Sequence, residues 1–264
     1  MGQAVTVAFS QPDAGWATPA LSGLAAAIAT NVVQTVKQAG QNAPRSLQRT
    51  IGPSEIGTPC VRRLAYKLCD WPTVNTDSDP WASIIGTAVH AWMEETFRAE
   101  NERLGQERYV VERRLHIRGN IYGNADLFDR AHGVNIDWKI TSPDRLKKYR
   151  QNGPGQQYRV QAHLYGLGQE NAGEQVNDVA IVFLPRGGRI DGLHVWAEPY
   201  DRQVALDALQ RLDNVLTLLH QPGMDPGVNP DAFAYFPASD AYCTFCPWFQ
   251  PGSTNAGAGC PGAG

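Results

Sequence analysis

A short apolar stretch that carries two opposite charges, GVNIDWKI, occupies residues 133–140. Alternate side chains of a β-strand point to opposite faces, so the stretch predicts a strand with Asp137 and Lys139 on one face and Trp138 on the other. A carboxylate and an ammonium group on one face suit a divalent cation beside a phosphate. Because Asp137 ends an apolar strand, an uncompensated charge there would be costly, and a metal ion or Lys139 is its expected partner.

The segments around this strand carry the periodicity of an α/β domain. They predict helices over residues 18–41, 81–104, 161–169 (with a start near 156 as an alternative) and 201–220, and further strands over 109–117, 121–128, 179–184 and 192–197. A short helix capped by Ser54 and a polar, basic loop over residues 141–158 complete the prediction. This order predicts an α/β fold in which helices flank a mixed central sheet.

The same patterns predict four regions along the chain. Residues 1–53 form a helical N-terminal extension and linker, residues 54–80 the first part of a cysteine-bearing subdomain, residues 81–221 the core, and residues 222–264 a cysteine-rich C-terminal part. A chain of 264 residues with 42% hydrophobic content can bury one sizeable core and carry such an appendage.

Charge and hydropathy exclude some classes of protein. The formal net charge is −3 and the pI about 6.1, so a globally basic nucleic-acid binder is not indicated and any contact with DNA must come from a local patch. The most apolar stretch, residues 21–36, is short for a membrane span and is interrupted by polar residues. No signal-peptide pattern begins the sequence, and the chain is expected to be cytoplasmic.

The five cysteines predict a metal or cluster site. Three of them, Cys243, Cys246 and Cys260, lie in the last 22 residues, and Cys60 and Cys69 lie far upstream. In a reducing compartment such clustering favours metal binding over a disulfide framework. Four thiolates suit zinc and an iron–sulfur cluster equally, so the spacing alone leaves both open.

Residues elsewhere in the chain supply partners for Asp137. Asp126 lies eleven positions upstream on the neighbouring predicted strand, and a hairpin would bring the two carboxylates together. On the long predicted helix, His90 adds a nitrogen ligand, which favours manganese alongside magnesium. Gln161 and Tyr165 are four residues apart, share a helix face and can hold the scissile phosphate or a base edge. Each feature alone is common on solvated surfaces, but the ordered series indicates one site.

Basic residues follow the Asp137 strand and predict a patch that tracks a phosphate backbone. This patch consists of Arg145, Lys147, Lys148 and Arg150, with Arg159 beyond. Two interleaved tyrosines, Tyr149 and Tyr158, can stack on the bases of a single strand. Arg62 and Arg63, beside Cys60, form a second candidate patch. The alternative interpretation is a solvated, charged loop.

One ordered series of residues resembles a known active site. The series is His90 on a helix, Asp126 on a strand, Asp137 with Lys139 on the next strand, and Gln161 with Tyr165 on the following helix. It is similar to that of the PD-(D/E)xK nuclease superfamily, which has a restriction-endonuclease-like core. Within that superfamily it resembles the RecB-like exonucleases of CRISPR systems and phages. The resemblance implies that all six residues are catalytic and that His90, Asp126 and Asp137 hold Mg²⁺ or Mn²⁺.

The resemblance extends to the cysteines. It implies a [4Fe–4S] cluster held by Cys60, Cys243, Cys246 and Cys260, so that residues 54–80 and 222–264 form an iron–sulfur subdomain. Cys69 is an alternative to Cys60, and Zn²⁺ is an alternative to the cluster. The interval between Cys246 and Cys260 is longer than the family pattern, and Asn124-Ala125 stands where the family has its proline.

The resemblance covers residues 54–261 and implies an exonuclease that cuts single-stranded DNA from the 5′ end in recombination, repair or genome processing. The setting would be a bacterial cell or a phage-infected host. Because the sequence has no helicase motif, any unwinding would need a helicase or recombination partner, and the family also forms homo-oligomers. Three alternatives stay open: a non-catalytic DNA-binding adaptor, a zinc-stabilised binding module without a nuclease core, and a structure-specific endonuclease on the same fold.

Overall fold

The computed structural model describes residues 23–41, 50–76, 79–239 and 243–263. By its internal contacts the chain divides into two compact units, one of residues 1–48 with 79–84 and the other of residues 49–78 with 85–264. In the first unit, α1 (Gly23–Gln41) forms within the range predicted for a helix. The predicted start of that helix at residue 18 and residues 42–49 of the predicted linker lie outside the described residues. The division into four regions stays a prediction.

The second unit contains a five-stranded sheet. Its strands, in spatial order, are β1 (Tyr109–Arg118), β2 (Ile121–Asp129), β3 (Val134–Thr141), β4 (Asp178–Pro185) and β5 (His194–Pro199). Among the described residues, the other helices are α2 (Pro53–Ile56), α3 (Val61–Leu68), α4 (Trp81–Leu104), α5 (Pro143–Asn152), α6 (Gly155–Asn171) and α7 (Arg202–Leu219), with 3₁₀ turns at Ile190–Gly192, Pro230–Tyr235 and Cys243–Phe245. Over the described ranges, none of these helices has both the length and the apolar character to cross a bilayer.

The sheet is mixed. β1 pairs antiparallel with β2, β2 with β3, and β4 with β5, whereas β3 and β4 run parallel. A parallel pair needs a crossover connection, and α5 and α6 supply it. The structure therefore confirms the predicted α/β fold with helices around a mixed central sheet.

The strand β3 separates two layers of the unit, as its alternation predicts. Trp138 packs with Leu127 and with Phe97 of α4 on one face of the sheet. On the other face, Asp137 meets the buried helix α6 through Gln161. On this face, a large hydrophobic core joins α3, α6 and α7 to the segment that carries the C-terminal cysteines. β3 thus lies between α4 at the surface and the buried helix α6.

The predicted loop over residues 141–158 is wrong for most of its length, because α5 occupies its middle and α6 begins within it. Pro143 stands at the first helical position, where its missing N–H has no helical partner to lose. Leu146 and Tyr149, one turn apart, pack with Phe183 of β4. Since few residues of α5 are apolar, this tertiary contact rather than local periodicity specifies the helix.

The predicted N-cap at Ser54 is also wrong, because α2 begins at Pro53 and Gly52 precedes it. The Glu55 carboxylate accepts a hydrogen bond from the Gly52 N–H at 3.2 Å. A side chain inside the helix thus satisfies the backbone donor of the residue that precedes it. The Ser54 carbonyl instead accepts a hydrogen bond from Gln157 at 2.6 Å. This contact ties α2 to α6.

Candidate active site and cysteine site

The two aspartates meet at the point where β2 and β3 stop pairing. Their ladder ends at the pair Leu127–Ile136, so Asp126 and Asp137 are the next residues on each strand. Asp126 Oδ2 accepts a hydrogen bond from the Trp138 N–H at 2.7 Å, in place of a backbone partner. Both carboxylates are buried, with 8% and 3% of their residue surfaces exposed. The expected hairpin thus brings the two carboxylates together.

Asp137 lies between a cation and an amide. Lys139 Nζ forms an ion pair with Asp137 Oδ2, and Gln161 Nε2 donates to Asp137 Oδ1 at 3.0 Å. Burial raises the pKa of Asp137 to about 6, because removal from water outweighs the attraction of the Lys139 charge. Burial alone would lower the pKa of Lys139, but the Asp137 and Asp126 charges reverse this and raise it. Lys139 is therefore an ammonium group at neutral pH.

His90 reaches the site from α4. Its Nδ1 lies 3.2 Å from Asp126 Oδ1. Burial acts to lower the pKa of His90, but the hydrogen bond and charge of Asp126 outweigh it, and the pKa is raised. His90 was predicted to join the two aspartates, and the structure places all three side chains within one cluster.

Glu112 also belongs to this cluster, although no sequence pattern predicted it. It lies on β1 between the pairs Val111–Leu127 and Arg113–Ala125, so its register position faces Asp126. One ligand atom each from His90, Glu112 and Asp126 lies within 4.8 Å of the others. A single glutamate in a strand carries no pattern of its own; the cross-strand register was the signal that could have found it.

The two predicted residues of α6 differ in their surroundings. Gln161 is 5% exposed, and its Oε1 has no hydrogen-bond partner among the described residues. Tyr165 is buried one turn further along, and its ring lies so close to Gly123 of β2 that an added Cβ would meet it at 2.8 Å. Gln161 thus contacts the aspartate cluster directly, whereas Tyr165 packs beside the strand that carries Asp126.

The predicted basic patch is divided by the fold. Arg145, Lys147 and Lys148 are exposed on α5, while Arg150 donates to the Gly192 carbonyl at 2.6 Å. Arg159 forms an ion pair with Glu198 at 2.5 Å.

Tyr158 lies deeper than a surface stacking platform would. Its ring centroid is 5.0 Å from Lys139 Nζ, which is a cation–π distance. Tyr149 stacks on Phe183 instead of projecting into solvent, with ring centroids 4.2 Å apart. The two interleaved tyrosines therefore pack against β3 and β4.

The four cysteines that the resemblance implies line one cavity. Cys60 precedes α3, Cys243 and Cys246 lie on and just after the last 3₁₀ turn, and Cys260 pairs as a bridge with Phe249. Among described residues, the cavity lining does not include Cys69, which ends α3. Burial raises the pKa of Cys69 to about 11, which keeps it a thiol. The geometry thus favours Cys60 over Cys69.

The cysteine cavity contains donors suited to sulfur. The Arg63 N–H donates to Cys60 Sγ at 3.4 Å, and Arg62 Nη1 to Cys260 Sγ at 3.7 Å. Arg62 also donates to the carbonyls of Ala234 and Phe236, so this predicted DNA contact has partners in the cysteine-rich segment. DNA binding by Arg62 and Arg63 stays a prediction.

The fold and the site define an α/β protein with a cluster of carboxylates, a histidine and a lysine at a fork in its sheet. Neither a family model nor a curated protein matches the chain. Among solved structures, it is similar to an alkaline exonuclease from Laribacter hongkongensis, at 11% identity and a TM-score of 0.47 over 66% of this chain and 89% of that one. It is also similar to a phage-related exonuclease from Haemophilus somnus, at 12% identity and a TM-score of 0.40 over 70% and 85%. Both likenesses are distant, so the functional argument depends on the site itself.

Proposed function

We propose that the protein is a metal-dependent deoxyribonuclease that removes nucleotides from the ends of single-stranded DNA. The observation that carries the proposal is the convergence of Asp126, Asp137 and Lys139 with His90 where β2 and β3 part. Two carboxylates, an imidazole and an ammonium group at one point are what metal-assisted hydrolysis of a phosphodiester requires.

The donor set fits a divalent cation. Oxygen donors from Asp126 and Asp137 suit Mg²⁺, and the His90 nitrogen suits Mn²⁺ as well. The buried Gln161 Oε1 without a described hydrogen-bond partner also indicates that the site receives a ligand, because buried polar atoms are seldom left unpaired. When bound, the ion would supply positive charge at the scissile phosphate.

The protein's own residues would orient and neutralise the substrate. Lys139 lies between Asp137 and the Tyr158 ring, so its ammonium group is held in place to offset charge that builds on the phosphate. Gln161 holds the Asp137 carboxylate in one orientation through its Nε2. We further propose that Tyr165 fixes α6 against β2 close to the substrate.

We propose that the cysteine cavity holds a [4Fe–4S] cluster, with Zn²⁺ as the alternative. Four cysteine side chains on one small cavity, with Arg62 and Arg63 donating to sulfur, suit a thiolate-bound metal centre. The centre would be structural, because it would tie the start of α3 to the last residues of the chain. We also propose that the protein acts with a helicase or recombination enzyme and that it forms homo-oligomers.

The experiment that tests this function is digestion of end-labelled single-stranded DNA by anaerobically purified protein, with Mg²⁺, with Mn²⁺ or with a chelator. We expect metal-dependent shortening whose order of products gives the polarity, with 5′-end attack expected. A closed circular single strand is the matched substrate without ends. Cleavage of the circle at the same rate would replace the exonuclease by an endonuclease, and no cleavage with either metal would contradict the nuclease.

The exposed lysines of α5 are expected to bind the DNA backbone. We expect Lys147→Ala with Lys148→Ala to weaken single-stranded DNA binding uniformly across sequences, and to reduce the slope of log affinity against log salt by about 1.4. Titration at several salt concentrations measures both. Arg98→Ala with Arg103→Ala removes the same charge from exposed ion pairs on α4 and should change neither. Equal effects from the two double variants would mean that α5 is not a specific DNA-binding surface.

Metal affinity should depend on pH through Asp137. Because burial raises its pKa from 3.8 to about 6, the folded protein holds a proton there that the unfolded chain has lost. The ionised carboxylate therefore costs stability in full above about pH 6, and this cost declines as pH falls from about 6 towards 3.8. A metal ion needs the ionised form, so Mn²⁺ affinity should fall at least about tenfold per pH unit below pH 6. Affinity that stays constant across this range would contradict the ligand role of Asp137.

A further inference from the structure

We propose that Glu112 is a direct ligand of the divalent cation in the active site, together with His90 and Asp126. The inference rests on the proposed metal-dependent function and adds a residue from a third strand. It therefore predicts a metal site built by α4, β1 and β2 as well as by β3.

The distances between the three ligand atoms fit a single ion. Glu112 Oε1 lies 4.0 Å from His90 Nδ1, and His90 Nδ1 lies 3.2 Å from Asp126 Oδ1. All three ligand atoms lie within 4.8 Å of one another, which is the spread of donors around one ion. The Glu112 side chain is 22% exposed and that of His90 23%, so the position is sheltered and still open to an entering ion and its waters.

The three donors are also of the chemical type that a divalent cation binds. Glu112 and Asp126 offer carboxylate oxygens and His90 offers an imidazole nitrogen, which together suit Mn²⁺. A histidine that binds metal is neutral, so the ion would meet two carboxylates and one uncharged nitrogen.

The backbone conformation of Glu112 is unusual for a strand. Among the described residues, Glu112 and Asp70 are the non-glycine residues with positive φ, each at 47°. Asp70 follows the end of α3, where the left-handed conformation is common. Glu112 lies inside β1, where pairing calls for an extended backbone, so its conformation is strained. The residue with the strained backbone is therefore the one whose side chain faces Asp126 and His90.

An independent observation points to a ligand at the same site. Gln161 is buried, donates to Asp137 through Nε2, and has no described hydrogen-bond partner for Oε1. A coordinated water or a substrate group would satisfy that atom. A ligand on the Asp137 side of the site would therefore complete the hydrogen bonding of Gln161.

The test is Mn²⁺ binding by the full chain, purified anaerobically and stripped of divalent ions, with unbound Mn²⁺ measured by electron paramagnetic resonance. We expect Glu112→Gln, which keeps the shape and removes the charge, to lower Mn²⁺ affinity about tenfold or more. Glu102→Gln, an exposed position near the far end of α4, is the matched control and should bind as the wild type does.

A second variant separates ligation from folding. Glycine adopts positive φ without strain, so Glu112→Gly should unfold in a chelator at a Tm no lower than that of the wild type. The same variant should lose most of the rise in Tm that Mn²⁺ gives the wild type. Loss of stability in the chelator together with a full Mn²⁺-dependent rise would overturn the inference.

The two proposals fail in different ways. If the wild type binds Mn²⁺ and cuts DNA while Glu112→Gln binds Mn²⁺ equally well, Glu112 is not a ligand and the nuclease proposal stands. If the wild type binds no Mn²⁺ and cuts no DNA, both proposals fall. If Glu112→Gln alone loses Mn²⁺ affinity and Glu102→Gln does not, the inference holds.

Discussion

Asp137→Asn should lower metal-dependent DNA cleavage by about a thousandfold or more, because it removes a charged metal ligand without changing the shape of the side chain. The folded structure should survive. The amide that replaces the carboxylate would still offer an oxygen to Gln161 Nε2, and the variant no longer buries an ionised carboxylate. The measurement is the single-turnover rate on end-labelled DNA, with circular dichroism and Tm as controls for folding.

The matched control is Asp213→Asn. Asp213 forms an exposed ion pair with Arg118 at 2.5 Å, and its side chain is 40% exposed. The same chemical change there should leave cleavage unchanged and cost little stability. If Asp137→Asn retains wild-type cleavage, either the activity belongs to a contaminant or Asp137 has no part in it, and the proposed site is wrong.

Cys246→Ser should remove the metal centre of the cysteine cavity and lower Tm by about 10 °C or more. A structural thiolate site contributes several kcal/mol to folding, and each kcal/mol corresponds to about 2–4 °C in a chain of this size. The effect should extend to the core, because Cys246 packs in the same cluster as Tyr66 and Trp248. The measurements are iron, sulfide and zinc content, visible absorption and Tm.

Cys69→Ser is the matched control for this change. The Cys69 side chain is not among the residues described around the cavity, so iron content and Tm should stay near the wild-type values. Loss of the centre in Cys69→Ser but not in Cys60→Ser would reverse the assignment made from the cavity. A colourless wild type with one zinc and no iron would replace the cluster with the zinc alternative.

Local patterns were sufficient for the regular parts of the fold. The alternation in β3 predicted that Trp138 and Asp137 lie on opposite faces, since a strand offers two sides to any sequence. Gly119 and Gly133 stand where β1 turns into β2 and β2 into β3, and both glycines have the positive φ that such turns favour. Five strands and the long helix α4 therefore follow from spacing alone.

The basic segment shows where local patterns were insufficient. Residues 143–152 contain too few apolar side chains to predict a helix, and α5 is specified by the contact of Tyr149 with Phe183. That contact joins residues far apart in the chain, and no window of local sequence contains it. Local sequence also could not show that Arg159 pairs with Glu198 on β5 in the folded chain, and its contact with DNA stays a prediction.

The sequence by itself determined that Asp137 and Lys139 share one face of a strand and that Trp138 lies on the other, because alternation needs no help from the rest of the chain. It also predicted that cysteines far apart in the chain form a metal site. Only the tertiary structure decided that Glu112 joins His90 and Asp126, and that Cys60 rather than Cys69 lines the cavity. The physical reason is that alternation is a property of one strand, whereas register and packing depend on which segments come together.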